Sequence, residues 1–453
     1  MKKKELSTTQ IILLGFLCAI IIGTVLLSLP ICSASGKGTP LIDALFTSTT
    51  SICVTGLVTL DTYAHWSFVG QFIILLLAQI GGLGVVSITT GVMLVIGQKV
   101  SLKDRLLIES AFNLSSLKGI IRFFKRIIIG TFLVEGIGAI CYAFVFVPEF
   151  GWKKGIWASI FNGVSAFCNA GMDVIGANSL APYVSNVWIN IVTMILIILG
   201  GLGFVVWWDI IRVFKLVKNK KLPLKWIFNK CTLQTKIVLT MTLVLILSGA
   251  ICIFVLEYHN PETLGTLSFG DKILASFFQS VTTRTAGFFT ISQKGLRDST
   301  ILICLVFMFI GGSPSGIAGG VKTTTIALLL IATKSIITGT EEAEIFNRSI
   351  PLKTIRKALA VVLISFLSLW IGTVALLAVS GGSLSDVAFE MTSAVATVGL
   401  TRGFTSSLNT IGKLIVIVGM YLGRIGPISL AIAIQGKKKK GLASFAKEDV
   451  TVG

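Results

Sequence analysis

Four short stretches of this chain have the residue types needed to replace the water around a small cation. They read Val54-Thr55-Gly56-Leu57, Asn169-Ala170-Gly171-Met172, Thr285-Ala286-Gly287-Phe288 and Thr397-Val398-Gly399-Leu400. Each sets two small, polar or β-branched residues before a glycine and a bulky apolar residue after it. None carries a charge, so coordination falls to backbone carbonyls. These suit a monovalent cation, whereas Ca²⁺ and Mg²⁺ sites draw on carboxylates. Glycine permits such a turn because it has no Cβ. The glycines are spaced by 115, 116 and 112 residues, and four turns in register form an internal repeat.

A second constellation interrupts an apolar stretch. Ile301 to Ile337 is 37 residues, about 55 Å if helical throughout and nearly twice a bilayer's hydrocarbon thickness, so it must break. The break reads Gly311-Gly312-Ser313-Pro314-Ser315-Gly316-Ile317-Ala318-Gly319-Gly320-Val321-Lys322-Thr323. It is not a nucleotide loop, because Val321 separates Gly320 from Lys322 and no soluble βα unit surrounds it. Lys322 closes this run and Arg424 stands inside the last apolar segment, where an ionisable residue marks a functional site. Arg424 reads either as a positive barrier beside the glycine-rich run, lifted when the run moves, or as a structural arginine paired with Glu135 or Asp209.

The elements that must hold these residues follow from hydropathy. Eight apolar segments, near 11–30, 68–97, 127–147, 187–211, 237–257, 300–336, 358–379 and 411–434, are long enough to span a bilayer. Between the members of each pair lies a half-apolar stretch, Leu41 to Cys53, Ile156 to Phe167, Lys272 to Val281 and Asp386 to Ala396, too short to cross as a helix. Each is expected to end at its glycine. A segment that enters and leaves on one side is tolerated where it lines a cavity, and the negative ends of four such helices favour a cation below them. The predicted fold is an all-α membrane protein of four tandem span, pore-loop, span repeats around a central pore, with eight transmembrane helices and four re-entrant loops. The repeats cover residues 1–98, 99–220, 221–340 and 341–453. Glycines on the second spans (Gly81, Gly82 and Gly84; Gly200, Gly201 and Gly203; Gly311 and Gly312; Gly419, Gly423 and Gly426) serve either helix packing or the pore wall.

Composition excludes other classes. Of 453 residues 54% are hydrophobic and 13% charged, with net charge +19 and mean hydropathy +0.90. Too few polar residues exist to surround the basic patch of a nucleic-acid binder. The N-terminus, the connections between repeats and the C-tail carry 28 Lys and Arg against 8 acids, and the opposite side 9 against 10. The basic side, with both termini, is therefore expected to be cytoplasmic. Lys2 to Lys4 before the apolar run Ile11 to Leu29 resemble a signal peptide, but the run is longer than an h-region and reads as the first span. Eight scattered cysteines and two histidines, His65 and His259, supply neither a disulfide framework nor a catalytic set. No Rossmann fingerprint is present, so nucleotide control needs a partner. Lys437 to Lys440 and the basic connections suit an acidic partner surface or anionic lipid heads.

With STTSICVTGLVTLDT, SAFCNAGMD, TTRTAGFFT, GGSPSGIAGGVKTTT, SAVATVGL (whose Thr-Val-Gly begins the potassium-channel filter) and YLGRIGP, nearly the whole chain resembles the Trk/Ktr/HKT superfamily of potassium transporters. It is most similar to the bacterial Ktr-type membrane subunit, because no extra N-terminal pair of spans precedes the eight. The resemblance implies K⁺ uptake across a bacterial plasma membrane, often linked to Na⁺, a homodimer, and a cytosolic ring of RCK subunits that binds ATP/ADP or NAD. It makes Gly56, Gly171, Gly287 and Gly399 with their two preceding residues the selectivity filter, 311–320 the gating loop and Arg424 the gate arginine. Na⁺-selective plant relatives have Ser where this chain has Gly56, so K⁺ is favoured over a Na⁺-permeable alternative. A secondary transporter of organic solutes would show inverted repeats. The chain departs from the family in SPSGIAGG, in Phe289 and in Arg402, which either slows cations beyond the fourth turn or pairs with Asp386 or Glu390.

Overall fold

A computed structural model describes residues 8–84, 120–221, 223, 226–340 and 342–426. The repeat boundary at 98/99, the far ends of the segments 68–97 and 411–434, Lys2 to Lys4 and Lys437 to Lys440 lie outside the described residues. Those described are overwhelmingly helical. Their only strands form a two-residue hairpin, β1 (Glu344–Ile345) and β2 (Arg348–Ser349), turned by Phe346 and Asn347 with positive φ.

The first unit comprises α1 (Thr8–Leu27), α2 (Leu41–Cys53) and α3 (Phe68–Leu83). In the second, α4 (Ile120–Phe167) is one long helix and one short helix merged across Pro148 and a break at Gly151, where φ is 77°. Proline lacks the N–H that the helix ladder requires, and glycine accepts the non-helical angle. Next come α5 (Val187–Leu202), α6 (Phe204–Asn219) and α7 (Trp226–Lys230). The third unit holds α8 (Leu233–Glu257), α9 (Phe269–Thr282), α10 (Asp298–Phe309) and α11 (Thr323–Thr338). The fourth holds α12 (Leu352–Ser380), α13 (Leu384–Ala396) and α14 (Thr410–Ile425). Starts are set locally: the side chains of Ser67, Asn186, Thr232, Ser268, Ser383 and Asn409 each accept a hydrogen bond from an N–H of the first turn, the usual N-cap arrangement.

The long helices α1, α4, α8 and α12 are apolar enough to cross a membrane. Leu14, Ile21 and Ile22 on α1 and Leu359, Leu363 and Ile371 on α12 are exposed, an outward apolar surface that water would penalise and hydrocarbon does not. The protein is a multi-pass membrane protein. The second members differ from expectation. The segment 187–211, read as continuous, is bent by 96° between α5 and α6, and α3 and α14 stop at the matching point. Gly84, Gly203 and Gly426 there share φ of 85°, 90° and 85°. The break expected only at 301–337 therefore has a counterpart at Gly203, between α5 and α6.

Burial is inverted. Ser48, Thr49, Thr50, Ser51, Thr282 and Ser393, all on the short helices, are fully buried, their hydroxyls bonded to backbone. Lys413 on α14 pairs with Asp43 on α2 at 2.6 Å, joining the last unit to the first.

Candidate functional site

The four turns meet. A Cβ on Gly56 would lie 2.6 Å from the Ala170 carbonyl oxygen, on Gly171 2.7 Å from that of Ala286, on Gly287 2.9 Å from that of Val398, and on Gly399 2.2 Å from that of Thr55. This is a closed cycle: each glycine abuts the carbonyl that precedes the glycine of a neighbouring turn. No side chain fits at any of the four positions, because the neighbour is backbone and cannot rotate away.

The short helices do not end at these glycines, as expected from sequence; they stop earlier. Val54, Asn169, Thr285 and Thr397, each two residues before its glycine, adopt φ of 54°, 53°, 67° and 52°. Three of the four are β-branched, for which this conformation is a true outlier costing about 1 to 3 kcal/mol. Two left-handed residues two apart, the second a glycine, set the course of each turn.

Hydroxyls one turn back in the short helices hold this shape. The amide of Gly56 donates to Thr50 Oγ1 and that of Gly399 to Ser393 Oγ, both at 3.0 Å. In the other two turns Ser165 Oγ donates to the Met172 carbonyl and Thr282 Oγ1 to the Phe288 carbonyl, both at 2.5 Å. The signal existed in the sequence: Thr50, Ser165 and Ser393 stand six residues before their glycines and Thr282 five. In contrast, the side-chain oxygens of Thr55, Asn169, Thr285 and Thr397 are buried without hydrogen-bond partners. Unpaired buried polar groups are costly, and here all four belong to the ring. Uncharged oxygens in this density can substitute for water around a monovalent cation.

Directly against the ring lies the loop between α10 and α11. A Cβ on Gly319 would overlap Thr397 Oγ1. The loop is sutured to the end of α5: the amides of Ser313 and Ile317 donate to the carbonyls of Gly201 and Gly200 at 2.9 and 3.1 Å, and that of Phe204 donates to Ser315 at 3.1 Å. Gly316 packs on the same backbone, and the Pro314 carbonyl lies against Gly203. Within the loop the amides of Gly311 and Gly312 donate to Val321 and Gly319, and Gly320 takes φ of 65°. Ser313 and Thr323 share a hydroxyl bond of 3.0 Å, and Lys322 Nζ donates to the Ala318 carbonyl at 2.7 Å.

Arg424 crosses between three elements. Its guanidinium donates to the carbonyls of Ile317 in the loop and of Gly81, with Gly82 at 3.5 Å. Glu135 and Asp209 are not its partners. Glu135 bonds Gln79 and Cys168, and Asp209 bonds Arg212, Thr232 and Thr235. The carbonyls at the end of α3 carry the negative end of its dipole, and that of Gly81 accepts from the Gly84 amide at 3.2 Å as well as from Arg424, so an arginine is satisfied there without an acid. Gly81, Gly200 and Gly423 serve packing: a Cβ on any of them would sit 2.0 to 2.1 Å from the carbonyl of Ile52, Phe167 or Val395.

Residues 9–440 match the family model TrkH, described as cation transport protein. Over the full length the chain is 38% identical to the potassium/sodium uptake protein NtpJ of Enterococcus hirae, covering 98% of it. The chain belongs to this family of cation transport proteins. The family consists of ion transporters, not enzymes. The Ktr system potassium uptake protein B of Bacillus subtilis is 39% identical, with 94% of this chain and 92% of that protein aligned. The crystal structure of the potassium transporter TrkH from Vibrio parahaemolyticus shares the fold, with a TM-score of 0.71 at 18% identity over 96% of this chain and 87% of that one.

In this cation transporter Arg402, three residues beyond Gly399, pairs with Asp386 at 2.7 Å and approaches the Gln293 carbonyl at 3.5 Å. Glu390 instead accepts from Thr401 and Thr405. Burial alone would push the Asp386 carboxyl up, but the Ser383 hydroxyl and the Arg402 guanidinium outweigh it and hold the group below its ordinary range. Arg402 is therefore neutralised where it stands.

Proposed function

We propose that this protein takes up K⁺ through the ring formed by Val54-Thr55-Gly56, Asn169-Ala170-Gly171, Thr285-Ala286-Gly287 and Thr397-Val398-Gly399. The observation that carries this reading is the closed cycle of glycines and carbonyls, free of charged side chains. Such a site holds an ion by dipoles, which favours a cation that sheds water readily and lets it leave again. The short helices are re-entrant, the four units are tandem repeats around one pore, and the ring faces outward from a bacterial plasma membrane with both termini in the cytoplasm. Gly56 supports K⁺ over Na⁺, since a serine there would push Ala170 and widen or deform the ring.

The loop from Gly311 to Gly320 is the gate. Packed against Thr397 and latched by Arg424, it obstructs the path below the ring, and Lys322 adds a second positive charge at its end. Uptake is linked to Na⁺, and the chain works as a homodimer on a cytosolic RCK-type ring that binds ATP/ADP or NAD. Relatives named for both ions and as a Ktr system component support this. The test is uptake of radiolabelled Rb⁺ into liposomes carrying the purified protein, with K⁺, Na⁺ and Li⁺ as competitors, with and without the nucleotide-binding partner. K⁺ should compete far better than Na⁺ or Li⁺, and the partner should change the rate. Equal competition by all three would refute K⁺ selectivity.

A further inference from the structure

One buried acid has no part in this account. Glu135 lies on α4 and is 3% exposed. Packing of the repeated units shows how unusual its place is. Each long helix meets its short helix at a glycine: a Cβ on Gly23 would lie 2.4 Å from Ser48 Oγ, on Gly249 2.4 Å from Ser280 Oγ, and on Gly372 2.4 Å from Met391 Cε. In the second unit the close approach is made by Gly163 on the short helix, whose Cβ would sit 3.1 Å from the Glu135 carbonyl oxygen. Three residues before Gly23, Gly249 and Gly372 stand Ile20, Ile246 and Leu369. The carbonyls of Ile20 and Ile246 accept from Ser48 and Ser280. Glu135, three before Gly138, is the acid at a position otherwise aliphatic.

Its carboxyl accepts from Gln79 Nε2 at 3.1 Å and from the Cys168 thiol at 3.6 Å, and the thiol also lies 3.5 Å from Gln79 Oε1. Among the described residues no Lys or Arg pairs with it. Cys168 immediately precedes the left-handed Asn169 of the second turn. Gln79 lies on the last turn of α3, two residues before Gly81, whose carbonyl receives Arg424. A Cβ on Gly82 would meet Cys168 Sγ at 2.7 Å, so thiol, turn and helix end are in one contact. Ionisable groups inside a span are rare and expensive, and a leucine here would fill the same space.

We propose that Glu135 is a positioning residue for ion selection: through Cys168 and Gln79 it fixes the second filter turn relative to the end of α3 that holds the Arg424 latch. The proposal rests on reading the four turns as a cation filter. Glu135→Leu removes the acceptor of the Gln79 amide and leaves the Cys168 thiol only Gln79 Oε1 at 3.5 Å, whereas Glu135→Gln can bond both.

The test is Rb⁺ uptake into proteoliposomes with Na⁺ as competitor. Expected are wild-type discrimination in Glu135→Gln and about a fivefold gain in Na⁺ competition in Glu135→Leu, the scale of one lost buried hydrogen bond. Cys168→Ala should shift the same way, with unchanged yield and oligomeric state. A purely structural role would lower the amount of protein and leave the Na⁺/Rb⁺ ratio of the surviving fraction untouched, which would overturn the proposal. Should Glu135→Leu not assemble, wild-type discrimination in Cys168→Ala overturns it equally. A wild-type protein that moves neither ion overturns the filter reading itself, and this proposal with it.

Discussion

Replacing Arg424 by alanine is the sharpest perturbation of the proposed gate. The side chain makes two close bonds, to the Ile317 carbonyl of the loop and the Gly81 carbonyl of α3, and a longer one to Gly82. A buried hydrogen bond from a charged donor contributes about 1.5 to 3 kcal/mol net. Losing two costs the latched state about 3 to 6 kcal/mol, or about 10² to 10⁴ in its population relative to a released loop, at tenfold per 1.4 kcal/mol. The backbone bonds from Ser313, Ile317 and Phe204 to the end of α5 and the loop remain, so the loop should open more often without dissolving. Removing a positive charge beside the path adds to the effect in the same direction. Initial Rb⁺ uptake in proteoliposomes lacking any partner should rise until the open population saturates. Arg424→Lys, which keeps the charge but loses the planar guanidinium fork that reaches both carbonyls, should fall between. Unchanged or lower flux in normally assembled Arg424→Ala would refute the latch.

Gly56→Ser should collapse K⁺ over Na⁺ discrimination, because its Cβ would lie 2.6 Å from the Ala170 carbonyl oxygen and 3.2 Å from the Cα atoms of Gly171 and Gly399; growth on limiting K⁺ with excess Na⁺ reads it directly. Asp386→Asn should expose the charge of Arg402 beyond the fourth turn and lower Rb⁺ uptake at low ion concentration by up to about fivefold, less at high salt, with recovery in the double variant carrying Arg402→Gln. The Asp386 carboxyl is held below its ordinary range. The pair is thus complete above the usual carboxylate pKa and is lost only as pH falls through the depressed value. Wild-type uptake should therefore show no loss from this pair between neutral and mildly acidic pH.

The sequence by itself determined the short helices, the turn glycines and their regular spacing, the glycine-rich interruption and the two costly cations. Each rests on a property a residue keeps wherever it sits: hydropathy over a length, the lack of a Cβ, or the expense of a charge in an apolar run. It even held the hydroxyl register at Thr50, Ser165, Thr282 and Ser393. The tertiary structure alone decided the rest. That Val54, Thr285 and Thr397 turn left-handed as Asn169 does runs against the preference of β-branched residues and follows from the surrounding backbone. The bend at Gly203 came from glycines that read equally well as packing residues. Arg424 had two acids as plausible partners by composition, yet it is satisfied by carbonyls at a helix end, and Glu135 is held by an amide and a thiol. Such partners depend on which segments approach one another across separations of 33 to 343 residues, and no residue type states that in advance.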